Sequence, residues 1–170
     1  MAKINDKIEK SFKIRRYTLL RYLNALLFFM CLHWSIGLFV YEKYLQLLIP
    51  ILIMVSILVT VKDQYASFTD KKVDITRSKK IYFIILISIL LVGLVSISDY
   101  KIFFPYLGQR KYFYIIIVLM LVIDVVLYIK AKKISENTDS TYKKYIEVLD
   151  TDYSKIKNLK RKWRKLCLNF

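Results

Sequence analysis

Four long apolar runs, separated by short polar segments, dominate the hydrophobic pattern of the chain. They occupy residues 22–41, 44–61, 81–98 and 112–129. A helix needs about 17–25 mostly apolar residues to cross a bilayer, and each run has that length. In lipid, a single segment can satisfy its own backbone polar groups only as a helix. The sequence therefore predicts an all-α integral membrane protein built as a four-helix bundle over residues 22–129.

Residues 1–21 form a basic segment before the first run. Ile4, Ile8 and Phe12 recur at every fourth position, which places one apolar stripe along a helix. One interpretation is an amphipathic helix lying on the inner membrane surface. The other is an extension of the first span into water, and the pattern does not separate the two.

Residues 130–170 form a basic region with a seven-residue repeat. The repeat is interrupted at Asp152 and consists otherwise of Tyr142, Tyr145, Leu149, Ile156, Leu159, Trp163, Leu166 and Phe170. Such a repeat predicts a long cytoplasmic helix that packs along another helix, which can belong to a second copy of the chain. The alternative is a solvated amphipathic helix whose stripe lies on the membrane surface.

The distribution of basic residues predicts the orientation. Of 29 lysines and arginines, only Lys43, Lys101, Arg110 and Lys111 lie in the two connections that would face outward. Lysines and arginines near span ends remain cytoplasmic. We therefore expect a multi-pass protein of the plasma (cytoplasmic) membrane, with both termini cytoplasmic and an anionic inner leaflet as a partner.

Composition excludes some other roles. The net charge of +16 would suggest nucleic acid in a soluble protein, but zinc-finger spacing and base-stacking motifs are absent, so no nucleic-acid partner is expected. The two cysteines, Cys31 and Cys167, form neither a disulfide framework nor a metal pattern. No metal and no cofactor are expected.

Asp124 is the only charge inside the last apolar run. It lies about 7–8 Å before the inner end of that run, at 1.5 Å per residue. The same measure places Asn24, Ser56 and Ser88 in the inner part of the other runs. We therefore predict an intramembrane polar layer in which these groups solvate Asp124, either to lock the bundle or to serve as a proton or cation site.

His33 is the only histidine, and it lies near the middle of the first run. With Cys31 it could form the thiol and base of a membrane peptidase. Residues two positions apart on a helix do not face each other, so a histidine hydrogen-bonded inside the bundle is the favoured interpretation. No catalytic residue is assigned, and the protein is not expected to be an enzyme.

Aromatic residues mark the membrane boundaries. Phe103, Phe104, Tyr106 and Leu107 surround Pro105 in the second outer connection, where they either contact an external partner or anchor the loop at the interface. Tyrosines near the span ends suit the membrane–water interface. They are Tyr22, Tyr41, Tyr44, Tyr82, Tyr112 and Tyr128.

In size and layout, the chain resembles the small multi-span proteins that bacteria use against bacteriocins or secreted membrane toxins, or as accessory subunits of membrane complexes. The first hypothesis is therefore a non-enzymatic protein that binds another membrane protein or a secreted membrane-active peptide. The second is an oligomeric pore or ion-conducting subunit with Asp124 in its path. The third and weakest is the peptidase built on Cys31 and His33.

Overall fold

A computed structural model of the protein describes residues 2–66, 75–141, 143–144 and 146–148, with side chains from residue 14 onward. The fold is all-helical in this part of the chain. Its long helices are α1 (Ala2–Val40), α2 (Tyr44–Ala66), α3 (Ile75–Ser98) and α4 (Arg110–Ser135), with a short 3₁₀ turn at Tyr100–Ile102. Residues 140–141, 143–144 and 146–148 are also helical.

All four helices contain a segment long and apolar enough to cross a membrane. These segments are Ile14–Val40, Tyr44–Tyr65, Ile75–Ser98 and Arg110–Ser135. The helices extend beyond the apolar runs because lysine and arginine are good helix formers and sustain the extra turns. The side chains on the outside of the bundle are largely apolar, as expected for a surface that meets lipid.

Helix α1 runs without a break from Ala2 to Val40. One continuous helix covers the residues for which the sequence allowed either a separate amphipathic segment or an extension of the first span, and both interpretations remain predictions. The tail seam (Tyr142, Tyr145, Leu149, Ile156, Leu159, Trp163, Leu166 and Phe170) lies outside the described residues, so its predicted packing remains a prediction.

The helices form a closed ring in which α1 packs on α2 and α4, and α3 packs on α2 and α4. Their buried positions alternate in steps of three and four residues. In α3 these are Ile75, Ser78, Tyr82, Ile85, Ile89, Val92 and Ser96. This spacing is the heptad pattern that produces left-handed bundles with helices crossing at about 20°. The buried positions of the core therefore follow the residue spacing of a coiled-coil bundle.

The bundle has two different ends. The loop end holds the α1–α2 turn and the α3–α4 connection, and the tail end holds the beginning of α1 and the end of α4. At the loop end, Glu42 takes a left-handed conformation with φ of 57°, and Lys43 N–H donates to Leu38 O at 2.9 Å. At the tail end, Asn137 has φ of 53°, a conformation that asparagine adopts readily after a helix.

Candidate functional site

Asp124 lies inside the bundle with none of its surface exposed. Neither of its carboxylate oxygens has a hydrogen-bond partner among the described residues. Cys31 on α1 and Tyr82 on α3 are buried in the same core. A carboxyl group enclosed by helices and left without a protein partner is costly inside a membrane, so Asp124 is the most unusual residue of the core.

A polar network crosses the core between Asp124 and the tail end. The Asn24 amide contacts the Tyr82 hydroxyl twice: Nδ2 donates to Oη at 2.9 Å, and Oδ1 accepts from it at 3.0 Å. Gln64 Nε2 also donates to Tyr82 Oη at 2.9 Å. Thr60 Oγ1 lies 3.5 Å from Asn24 Nδ2. These side chains are fully buried or nearly so, and they join α1, α2 and α3.

The structure does not bring Asn24, Ser56 or Ser88 into hydrogen-bond contact with Asp124, so the predicted polar layer around this carboxylate is not formed. Asn24 is buried at the predicted level, but its partners are Tyr82 and Thr60 rather than Asp124. Ser56 donates to Leu52 O at 2.8 Å and Ser88 to Ile84 O at 2.9 Å, so each hydroxyl bonds its own helix. Both serines have the right depth but lie off the buried seam, and the structure does not bring them to Asp124.

Cys31 and His33 point away from each other. Cys31 is fully buried, whereas His33 is exposed on the outside of α1, where Nδ1 lies 2.8 Å from Phe29 O. Two residues along a helix correspond to a rotation of about 200°, which separates the side chains. The pair required by the peptidase hypothesis is not formed, and the expected position of His33 inside the bundle is wrong.

The aromatic connection at the loop end packs inward. Phe104 is fully buried and stacks on Trp34, with ring centroids 5.0 Å apart, and it also contacts Phe113 at 5.4 Å. Trp34 Nε1 donates to Phe103 O at 2.7 Å. Tyr106 is partly buried against the same core. The prediction that these side chains meet an external partner is therefore wrong for Phe104.

Gly37 lets Tyr106 approach α1. A Cβ atom at position 37 would overlap the Tyr106 ring, so only glycine leaves room for the ring. Burial raises the pKa of the Tyr106 phenol to about 12. Together with Phe103 and Leu107, which also pack on the core, Tyr106 makes the connection a plug between the helices.

At the tail end, Arg16 clamps α1 to the residues after α4. Its Nε donates to Asp139 Oδ1 at 2.9 Å, and Nη2 donates to Ile134 O at 2.9 Å and Asn137 Oδ1 at 2.8 Å. The ion pair with Asp139 is 2.7 Å long, and the Asp139 side chain has none of its surface exposed. One guanidinium thus satisfies a helix-end carbonyl and neutralises a buried carboxylate.

Sequence reasoning missed Arg16, Trp34, Thr60, Gln64 and Tyr82. Tyr82 was expected at the membrane–water interface, but it is one of the buried positions of α3 and lies in the core. The signal that could have found several of them is the three-and-four spacing: Thr60 and Gln64 continue the seam of Ile53 and Ile57. Ser56 and Ser88 do not fit that spacing.

No protein-family model, curated protein or solved structure matches the chain. Among the described residues, no group of three or more His, Cys, Asp or Glu side chains is placed to hold a metal ion. Among the described residues of the core, the unpaired Asp124 carboxylate and the hydrogen-bonded network around Tyr82 are therefore the most distinctive polar groups.

Proposed function

We propose that the protein is a non-enzymatic, multi-pass protein of the cytoplasmic membrane that binds another membrane-inserted polypeptide through the outer surface of α1. The observation that carries this proposal is the position of His33. Its side chain is exposed on a surface of the bundle that is otherwise apolar. It lies about 10 Å below the loop end of α1, at 1.5 Å per residue.

An imidazole facing lipid is unfavourable unless something binds it. Among the described residues its only hydrogen bond is the contact of Nδ1 with Phe29 O, which leaves Nε2 for a partner. Interhelical hydrogen bonds of this kind contribute about 1–2 kcal/mol in a membrane. Exposed apolar residues flank His33 at helical spacing, namely Tyr22, Leu26, Phe29, Ile36 and Val40. We call these residues and His33 the α1 stripe.

The stripe has the shape of a helix-docking surface. Its steps of three and four residues match the seam that a second helix needs for side-chain interdigitation. A single transmembrane helix with a polar side chain opposite His33 would bury both the imidazole and the phenyl ring of Phe29. A secreted membrane-active peptide and a subunit of a larger membrane complex would both satisfy this requirement, as the size and layout of the chain suggest.

The orientation proposed here follows from charge. The tail end carries Arg15, Arg16, Arg21, Lys62, Arg77, Lys79, Lys80, Lys130, Lys132 and Lys133, whereas the loop end carries Lys43, Lys101, Arg110 and Lys111. Basic residues at span ends favour the cytoplasmic side, so the tail end is assigned to the cytoplasm. A reporter fused to the C-terminus should then be active inside the cell, and activity outside it would overturn the assignment.

Photo-crosslinking in native membranes tests the binding proposal. A photoreactive residue at position 29 or 36 should yield an adduct larger than the monomer, and His33→Leu should reduce its yield. Leu91 is a matched control position, because it is exposed on α3 at about the same depth as His33. Asn24 and Tyr82 are hydrogen-bonded to each other, and Leu91 follows Tyr82 by as many residues as His33 follows Asn24. Equal adducts from position 91, or an adduct only with a second copy, would contradict the proposal.

A second candidate, an ion-conducting subunit, is favoured by one observation. The carboxylate of Asp124 is enclosed in the core without a hydrogen-bond partner among the described residues, as expected of a group that takes up a proton or a cation. Purified protein in liposomes should then carry a proton or cation flux that Asp124→Asn abolishes. If liposomes that contain the unaltered protein show no proton or cation flux, this candidate is excluded.

A further inference from the structure

A groove at the tail end, between α1 and the end of α4, adjoins the Arg16 clamp and shares Asp139 with it. It has a volume of about 400 Å³. Its lining residues are Leu19, Val126, Ile129, Lys130, Lys133, Thr138, Asp139, Ser140 and Lys143. The groove combines apolar and basic side chains, and their order along α4 indicates what it can hold.

The apolar part of the groove lies deeper in the bundle than the basic part. Along α4, Val126 and Ile129 come first, and Lys130 and Lys133 follow one turn later toward the tail end. Leu19 supplies the opposite apolar wall from α1 and is 46% exposed. A phospholipid has the same polarity along its length, because its acyl chains lie in the hydrocarbon and its phosphate lies at the surface.

The groove has a net positive charge. Asp139 is the one acid among the described residues that line it, and this carboxylate is neutralised by the ion pair with Arg16. Within the described part of the chain, Lys130, Lys133 and Lys143 make no ion pair. The hydroxyl groups of Thr138 and Ser140 lie at the same rim and can donate to phosphate oxygens.

We propose that this groove binds an anionic phospholipid, with the phosphate between Lys130, Lys133 and Lys143 and one acyl chain against Leu19, Val126 and Ile129. A diester phosphate with a second anionic group, or a headgroup without a compensating amine, matches the charge of the site. Phosphatidylcholine does not, because its quaternary ammonium would lie among the lysines. This inference is independent of the proposed partner surface on α1.

The bound lipid would also join the elements that form the groove. Arg16 holds the residues after α4 in place from one side, and the phosphate would hold Lys133 and Lys143 together from the other. The lipid would thus fix the position at which the chain leaves α4. Basic residues near a membrane surface each contribute an attraction that corresponds to about fivefold in affinity for an anionic lipid.

Native mass spectrometry of the full-length protein released from mixed micelles tests the proposal, with phosphatidylglycerol and phosphatidylcholine as probes. We expect one phosphatidylglycerol to be retained in preference to phosphatidylcholine. Lys130→Gln with Lys133→Gln should lower the retained fraction about tenfold or more. Lys62→Gln with Lys80→Gln is the matched control, because both lysines are exposed at the same end but lie outside the groove.

Two further arms separate a lipid site from a free-phosphate site and from a folding defect. Val126→Phe fills the apolar part and leaves the lysines in place, so it should reduce lipid retention. Inorganic phosphate at millimolar concentration should not displace the lipid. Lys130→Arg with Lys133→Arg keeps the charge and should restore retention. Equal retention of both lipids, an equal loss in the control pair, or displacement by phosphate would overturn the proposal.

Discussion

The helices are held together by different interactions at the two ends of the bundle. At the loop end, the connection itself enters the core, where Phe104 stacks on Trp34 and Tyr106 lies against Gly37. At the tail end, Arg16 makes directed polar contacts with Ile134, Asn137 and Asp139. Aromatic packing depends on shape and contact area, whereas the clamp depends on charge and hydrogen-bond geometry, so the two ends should respond differently to substitution.

The largest loss of stability is expected at the loop end. Phe104→Ala removes a fully buried ring that contacts Trp34 and Phe113, and comparable truncations cost about 3–5 kcal/mol. The free energy of unfolding can be measured by SDS titration in mixed micelles. Phe39→Ala is the control, because Phe39 is 61% exposed on the outside of α1. Similar losses at the two positions would show that the plug does not stabilise the bundle.

A somewhat smaller loss is expected when the clamp is opened. Arg16→Gln leaves the buried Asp139 carboxylate without its guanidinium partner, which should cost about 2–3 kcal/mol, since Arg16 is itself partly exposed. Arg15→Gln removes the same charge from an exposed neighbour and should have little effect. The same SDS titration measures both variants. If Arg15→Gln cost as much as Arg16→Gln, net charge rather than the clamp would hold the tail end.

The next prediction concerns how closely the plug fits against α1, rather than how much surface it buries. Gly37→Ala places a Cβ atom against the Tyr106 ring, and overpacking of this kind should cost about 1–2 kcal/mol. Gly108→Ala is the matched control, because a Cβ atom there meets nothing within 4 Å. Thermal melting in detergent would report the loss of stability. If Gly37→Ala left the stability unchanged, the Tyr106 ring could move aside at little cost, as a side chain in an exposed loop does.

The contrast also shows what the sequence could and could not predict. The four helices followed from the length of the apolar runs, because the bilayer imposes both length and helical backbone. The depth of a residue along its helix could also be read from the sequence, but Asn24, which was predicted to solvate Asp124, bonds Tyr82 and Thr60 instead. Depth alone does not fix the rotation of a side chain about the helix axis, so the prediction placed Ser56 and Ser88 in a layer that Thr60, Gln64 and Tyr82 form instead.

The aromatic connection was misjudged for a different reason. Phe103, Phe104, Tyr106 and Leu107 have a composition that suits either an exposed contact surface or a buried plug. The choice depends on two distant residues of α1: Trp34, which donates to Phe103 O, and Gly37, which makes room for Tyr106. The clamp was missed in the same way, because Arg16 and Asp139 are far apart in sequence. Pairings across the bundle are not encoded in any local pattern.

Asp124 provides the finest test, because its contribution to stability should be the smallest of those considered. A polar group that holds a bundle together does so through bonds, and Asp124 makes none to the described residues. Asp124→Asn should therefore change the free energy of unfolding by less than about 1 kcal/mol, whereas Tyr82→Phe, which removes the centre of the polar network, should cost about 1–2 kcal/mol.

The two variants together separate structure from function in the core. If Asp124→Asn destabilises the protein more than Tyr82→Phe, the carboxylate is a structural lock, and the ion-conducting candidate loses the observation that favours it. If stability is unchanged and liposome flux is abolished, the carboxylate is kept for chemistry rather than packing. An Asp124→Asn protein that matches the original in stability, flux and crosslinking yield would mean that neither role belongs to this residue.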